Sequence, residues 1–168
     1  MKKVYSTLIF ILTITHSFAQ TSKKDILSQI NRDIWIPFIT GVNTNNAQLY
    51  NGVHSKDFYW VAAGEKTRIM NLQEYIDDAR IVMEGRAGKN IKTDLEIRFL
   101  ERNVNNEFAS EKCVIKYTST EPGKEPQTSY GITQVFSRHE AGGWKKTVQY
   151  VHREAVSEQV YATAEAMN

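Results

Sequence analysis

One cysteine in 168 residues, Cys113, leaves no partner for an internal disulfide and no thiol pair for a zinc site. The spacings that bring metal ligands onto one face are missing too: there is neither His-x-His nor His-Glu-x-x-His. No glycine-rich phosphate loop and no dinucleotide glycine motif occurs, so neither a metal nor a cofactor is expected. Nor is there an excess of one charge, since 21 Lys and Arg stand against 19 Asp and Glu for a formal net of +2. A chain this close to neutral offers no basic face to a nucleic-acid backbone, and no nucleic-acid partner is expected. Every apolar run falls well short of the ~20 residues of a membrane span.

The chain opens on Lys2 and Lys3, continues with the short apolar stretch Leu8 to Ile14, and reaches small residues at Ser17-Phe18-Ala19. That order is the pattern of a cleaved secretory signal. The expectation is therefore a signal over residues 1–20, one domain over 21–154 and a tail over 155–168. The mature protein would be exported, periplasmic or extracellular, with no membrane anchor after cleavage. Cys113 lies in an alternating segment with Ile115 and Tyr117 on the same face, which reads as a small buried apolar residue.

Ile26, Ile30, Ile34 and Phe38 recur every fourth residue and predict a helix from Asp25 to about Asn46. Pro37 lies within it and predicts a kink or break near residues 33–37. A short helix should follow from Ala47 to Val53, then a strand over Asp57 to Ala62 and another over Thr67 to Met70. Asn71 with Glu74 three residues on predicts a capped helix that ends at Gly85 to Gly88. Beyond it the period changes from 3.6 to 2, giving four long antiparallel strands near residues 91–100, 108–119, 128–138 and 144–152. Helices first and strands later is the α+β pattern, with helices packed on one face of a curved antiparallel sheet. The alanine-rich tail predicts a frayed helix or a disordered end.

Several stretches, in order, resemble the NTF2-like superfamily, in particular its SnoaL-like and DUF4440-like branch. They are Ile34-Trp35 with Phe38, Leu49 leading to Asp57-Phe58, Gly64 before Leu72 to Ile76, Arg102 to Glu111, Tyr130 with Val135-Phe136 and Arg138, and Gly142 to Lys145. The resemblance covers roughly Asp25 to Glu154. It implies a cone: N-terminal helices close the mouth of a strongly curved antiparallel sheet around an internal pocket. It also implies a homodimer formed through the sheet's outer face. Members of the superfamily include dehydratases, isomerases, cyclases and binding modules, so the fold does not select a function.

Trp35, Phe38, Tyr50, Tyr59, Phe99, Tyr130 and Trp144 are the candidates for lining the cone, and they favour a small, largely apolar ligand. For an isomerase or dehydratase the candidates are Tyr59 or Tyr130 as hydrogen-bond donor and Asp57 or His152 as acid-base. His152 is expected on the strand face it shares with Trp144, Lys146, Val148 and Tyr150, and Asp57 on the face of Tyr59. A third reading is a protein-interaction module, which would show an extended exposed apolar patch.

Overall fold

The computed structural model describes residues 22–64, 67–152, 154 and 156–167; the expected signal segment lies outside them. Ser22 starts helix α1 (Lys23–Ile30), its hydroxyl accepting the Asp25 N–H at 3.2 Å. The helix then widens into a π-turn over Asn31–Trp35 before α2 (Ile36–Asn43) resumes the ordinary ladder. Pro37 supplies the reason: with no N–H it cannot continue the bonding pattern, and the Ile36 N–H reaches back five residues to the Asn31 carbonyl. The predicted kink is thus an inserted residue, and it turns Asn31, Ile34 and Trp35 inward together.

Helix α3 (Ala47–Gly52) crosses α2 at Gly41, where a β-carbon would stand 2.6 Å from the Tyr50 nitrogen. Only glycine allows that approach, and it fixes Tyr50 against Phe38. The chain then enters β1 (His54–Ala62) and β2 (Arg68–Asn71). Asn71 and Glu74 close a reciprocal capping box at the start of α4 (Leu72–Gly88).

The four long strands are β3 (Lys92–Val104), β4 (Phe108–Thr120), β5 (Gln127–Glu140) and β6 (Gly143–His152). After them come a short helix α5 (Glu158–Thr163) and a two-residue strand β7 (Glu165–Ala166). One seven-stranded sheet has the order β2-β1-β6-β5-β4-β3-β7, antiparallel throughout except where β1 runs parallel to β6. Its concave face carries Leu95, Ile97, Phe99, Cys113, Val135 and Trp144 onto Ile26, Ile30, Ile34, Trp35 and Phe38 of the helices. Cys113 is fully buried there, and burial pushes its thiol well above the usual range.

Two strand irregularities govern which side chains enter the concave face. In β3 the pairing with β4 shifts at Leu100, so Phe99 and Arg102, rather than Phe99 and Glu101, point inward. In β6 the pairing with β5 shifts at Thr147, so Trp144, Lys146 and Gln149 point inward. Val148, Tyr150 and His152 therefore lie on the opposite face from Trp144 and Lys146, which corrects the expectation that simple alternation gave for His152.

Among the described residues of the tail, α5 packs against the convex face, contrary to the frayed or disordered end that composition suggested. Tyr161 and Ala164 pack with Val114, Tyr130 and Ile132. The Tyr161 hydroxyl donates to Glu96 Oε2 at 2.9 Å, and the Arg98 guanidinium lies over its ring at 4.7 Å. No helix among the described residues is long and apolar enough to cross a membrane.

Candidate functional site

Between α4 and the open end of the concave sheet is a cavity of about 220 Å³. Phe38 and Val42 of α2 and Tyr50 of α3 wall one side, and Tyr75, Ala79, Val82 and Met83 of α4 the other. The sheet contributes Leu95, Ile115, Tyr117 and Gln149. At the rim stand Asp78, held by Arg68 at 2.9 Å, and Arg86, whose guanidinium lies 5.3 Å from the centre of the Tyr117 ring.

The hydroxyls of Tyr50 and Tyr75 are bonded to each other against this cavity. Burial pushes Tyr50 up to about 12 and raises Tyr75 well above its ordinary value, so both stay protonated at neutral pH and carry no charge. His54 sits in a ring of Phe38, Tyr50, Phe58 and Tyr75, with Phe58 nearest at 4.4 Å. Its Nδ1 lies 3.2 Å from the Asn51 carbonyl, which fixes that nitrogen as the donor, while Nε2 is buried without a partner. Burial, with the Lys146 charge nearby, lowers His54 to about 3 and keeps it neutral.

Behind the apolar wall is a buried polar cluster. Glu111 is fully buried and raised above its ordinary value by desolvation, which outweighs the opposing pull of Arg102 and Trp35. Arg102 reaches Glu111 Oε1 at 2.6 Å and Asn31 Oδ1 at 2.7 Å. The Trp35 indole N–H donates to Glu111 Oε2 at 3.0 Å. Helix and sheet are thereby tied together through one carboxylate. Next to it Lys146, also fully buried, holds its Nζ 3.3 Å from the Phe38 ring centre and 4.9 Å from that of Trp35. Its hydrogen bond is to Gln149 Oε1, at 3.4 Å.

The candidate residues read from the sequence separate into three groups. Phe38 and Tyr50 line the cavity. Trp35, Phe99 and Trp144 are buried in the core behind it: Trp35 serves Glu111, and Phe99 packs edge-on against Trp35 at 5.5 Å. The rest are elsewhere. Tyr59 is 51% exposed and Asp57 pairs with Arg138 at 2.8 Å, because Phe58, not its neighbours, takes the inward position of β1. Tyr130 faces Tyr161 on the convex side, and His152 packs on Tyr150 there. Asp57, Tyr59, Tyr130 and His152 thus do not converge on a point inside the cone.

Sequence reading did not single out Tyr75, Arg102, Glu111, Lys146 or Gln149. The signal for Glu111 was present: the alternation that places Cys113, Ile115 and Tyr117 on one face places Glu111 there as well. Among the described residues no group of three or more His, Cys, Asp or Glu side chains could hold a metal ion.

No protein-family model and no curated protein matches the chain. Solved structures do. An NTF2-like protein of unknown function from Pseudomonas putida superposes with a TM-score of 0.60 at 11% identity, covering 83% of this chain and 94% of that one. A ketosteroid isomerase-like protein from Erwinia carotovora gives 0.55 at 14% identity, covering 78% and 96%. The beta subunit of a benzoate 1,2-dioxygenase from Burkholderia mallei gives 0.62 at 13% identity, covering 78% and 89%. The fold is that of the NTF2-like superfamily, an α+β cone with helices against a curved sheet.

Proposed function

We propose that this protein is exported and holds a small, largely apolar molecule inside its cone. The observation that supports the reading is the cavity of about 220 Å³, walled mainly by aromatic and aliphatic side chains with polar groups at Tyr50, Tyr75, Gln149 and the Asp78 and Arg86 rim. An apolar cavity of about 150 Å³ accepts benzene, so this one suits a ring carrying one or two substituents. The apolar body would lie among Phe38, Val82, Leu95 and Ile115, and a single polar substituent would meet the tyrosine hydroxyls or Gln149. An isomerase or dehydratase reading loses its support, because Asp57 and His152 are directed away from the cavity.

A panel of small aromatic and alicyclic alcohols, ketones and acids tests the reading, with melting temperature and calorimetry as readouts. Ring compounds should raise the melting temperature of the natural protein but not of Ala79→Trp, in which the indole fills the cavity. Equal shifts in both proteins would place binding elsewhere and defeat the reading. Pairing of two copies through the part of the convex face that α5 leaves open, where Phe108 and Phe136 are exposed, belongs to the same proposal. A monomer at all concentrations in light scattering would remove that part alone.

A further inference from the structure

We propose that Lys146 is a nucleophilic amine that condenses with a small aldehyde or ketone held in the cone, forming an imine. The inference rests on the cavity being a ligand site. Lysines are almost never fully buried without a paired carboxylate, yet Lys146 is 0% exposed and no described carboxylate lies within ion-pair distance of it. Glu111, the acid on the neighbouring strand, has both its oxygens committed, one to Arg102 and one to Trp35. The cluster therefore neutralises its own acid with Arg102 and leaves the lysine over.

The position of Lys146 relative to the cavity makes it chemically relevant. The ring of Phe38, 3.3 Å from Nζ, and the amide of Gln149, its hydrogen-bond partner, both line the cavity. The Phe38 ring lies between the amine and the ligand space, and condensation requires it to move aside. Burial lowers the amine to about 7, so an unprotonated fraction is available at neutral pH. The titratable groups facing it are His54 on β1 and Glu111 and Cys113 on β4, with Arg102 on β3 behind Glu111. His54 is neutral and Cys113 protonated at that pH.

In the reaction the Nζ lone pair forms a bond to the carbonyl carbon. One amine proton passes to the carbonyl oxygen, giving a carbinolamine. Loss of that oxygen as water, with the second amine proton, leaves a C=N bond to Lys146. Nothing is oxidised or reduced. Of the Tyr50 and Tyr75 pair, the hydroxyl that does not donate to its neighbour, together with the Gln149 amide N–H, supplies donors to the carbonyl oxygen along the cavity wall.

The test treats the mature protein with benzaldehyde and sodium cyanoborohydride at pH 7.5, which reduces any imine to a stable benzylamine, and locates adducts by peptide mass spectrometry. One benzyl group per chain should appear at Lys146, at least tenfold faster than at any other lysine, and benzyl alcohol should compete. Phe38→Leu should accelerate labelling and Ala79→Trp should abolish it, while Lys146→Met should lose the adduct and still bind benzyl alcohol. Should Lys146→Met not fold, the two cavity variants decide the matter through the adduct at Lys146 itself. If benzyl alcohol binds in the cavity and only other lysines are labelled, the imine proposal is overturned and the binding reading survives. If benzyl alcohol does not bind and Lys146 is not labelled, both are overturned.

Discussion

Strands β3 and β4 carry two cross-strand glutamate pairs in the same ladder, one on each face. On the concave face Arg102 stands opposite Glu111, with side chains 7% and 0% exposed; on the convex face Glu96 stands opposite Lys116, at 44% and 30%. The chemistry and the register are alike, yet the carboxyls move in opposite directions. Glu111 is raised because desolvation dominates, whereas Glu96 is lowered because its hydrogen bond from Lys116 dominates. The comparison teaches that burial, not the presence of a partner, decides whether an ion pair favours the charged form.

The largest expected effect comes from breaking the buried member. Glu111→Ala leaves the Arg102 guanidinium buried without its acid and should cost about 3–5 kcal/mol in urea unfolding. Lys146→Met addresses the unpaired cation in the same cluster. Unfolded, the ammonium keeps its proton to the ordinary 10.5; folded, it loses it near 7. Between those values the unfolded chain binds the extra proton, so the natural protein gains stability with rising pH, by at most about 1.4 kcal/mol per unit. The variant should lose this slope and be the more stable protein at pH 6; an unchanged slope would show that Lys146 does not titrate there.

Tyr161→Ala sharpens the convex side of the comparison. It removes the ring that α5 lays on the sheet and the hydroxyl that Glu96 accepts from. It should cost about 1–3 kcal/mol and expose the C-terminal segment to limited proteolysis. Glu96→Gln is the smallest change, expected to fall within about 1 kcal/mol. The two acids should also differ in sign with pH. The contribution of Glu96 is present above its ordinary value and lost as pH falls through its lowered one. Glu111 costs stability as pH rises from its ordinary value through its raised one, and carboxyl titration by NMR would show both shifts.

Strand and helix existence was legible because each strong periodic segment needs only local information. The Asn71 to Glu74 capping box, the effect of Pro37 and the burial of Cys113 all followed from nearest-neighbour chemistry. The site was less legible because its residues depend on parity. A bulge at Thr147 reverses the faces of everything after it, and nothing in Lys-Lys-Thr-Val marks the insertion. His152 was placed by counting in twos across that bulge. Asp57 and Tyr59 were paired on one face, as they are, but that face is the solvent side. The tail was read from composition alone, and its docking depends on Tyr161 finding Val114 and Glu96, contacts far apart in the chain.

The π-turn of residues 31–35 gains a further meaning beside the two bulges. Each is a one-residue insertion, in a helix, in β3 and in β6, and each brings a member of the same cluster inward: Trp35 and Asn31, Arg102 beside Phe99, and Gln149 beside Lys146. The cluster is thus a coincidence of three shifted reading frames. Leu100 and Thr147 are themselves the unpaired residues, so deleting either one should leave the cluster assembled: Phe99 and Glu101 already face consecutive partners on β4, as Lys146 and Val148 do on β5, and Arg102 and Gln149 keep their inward side.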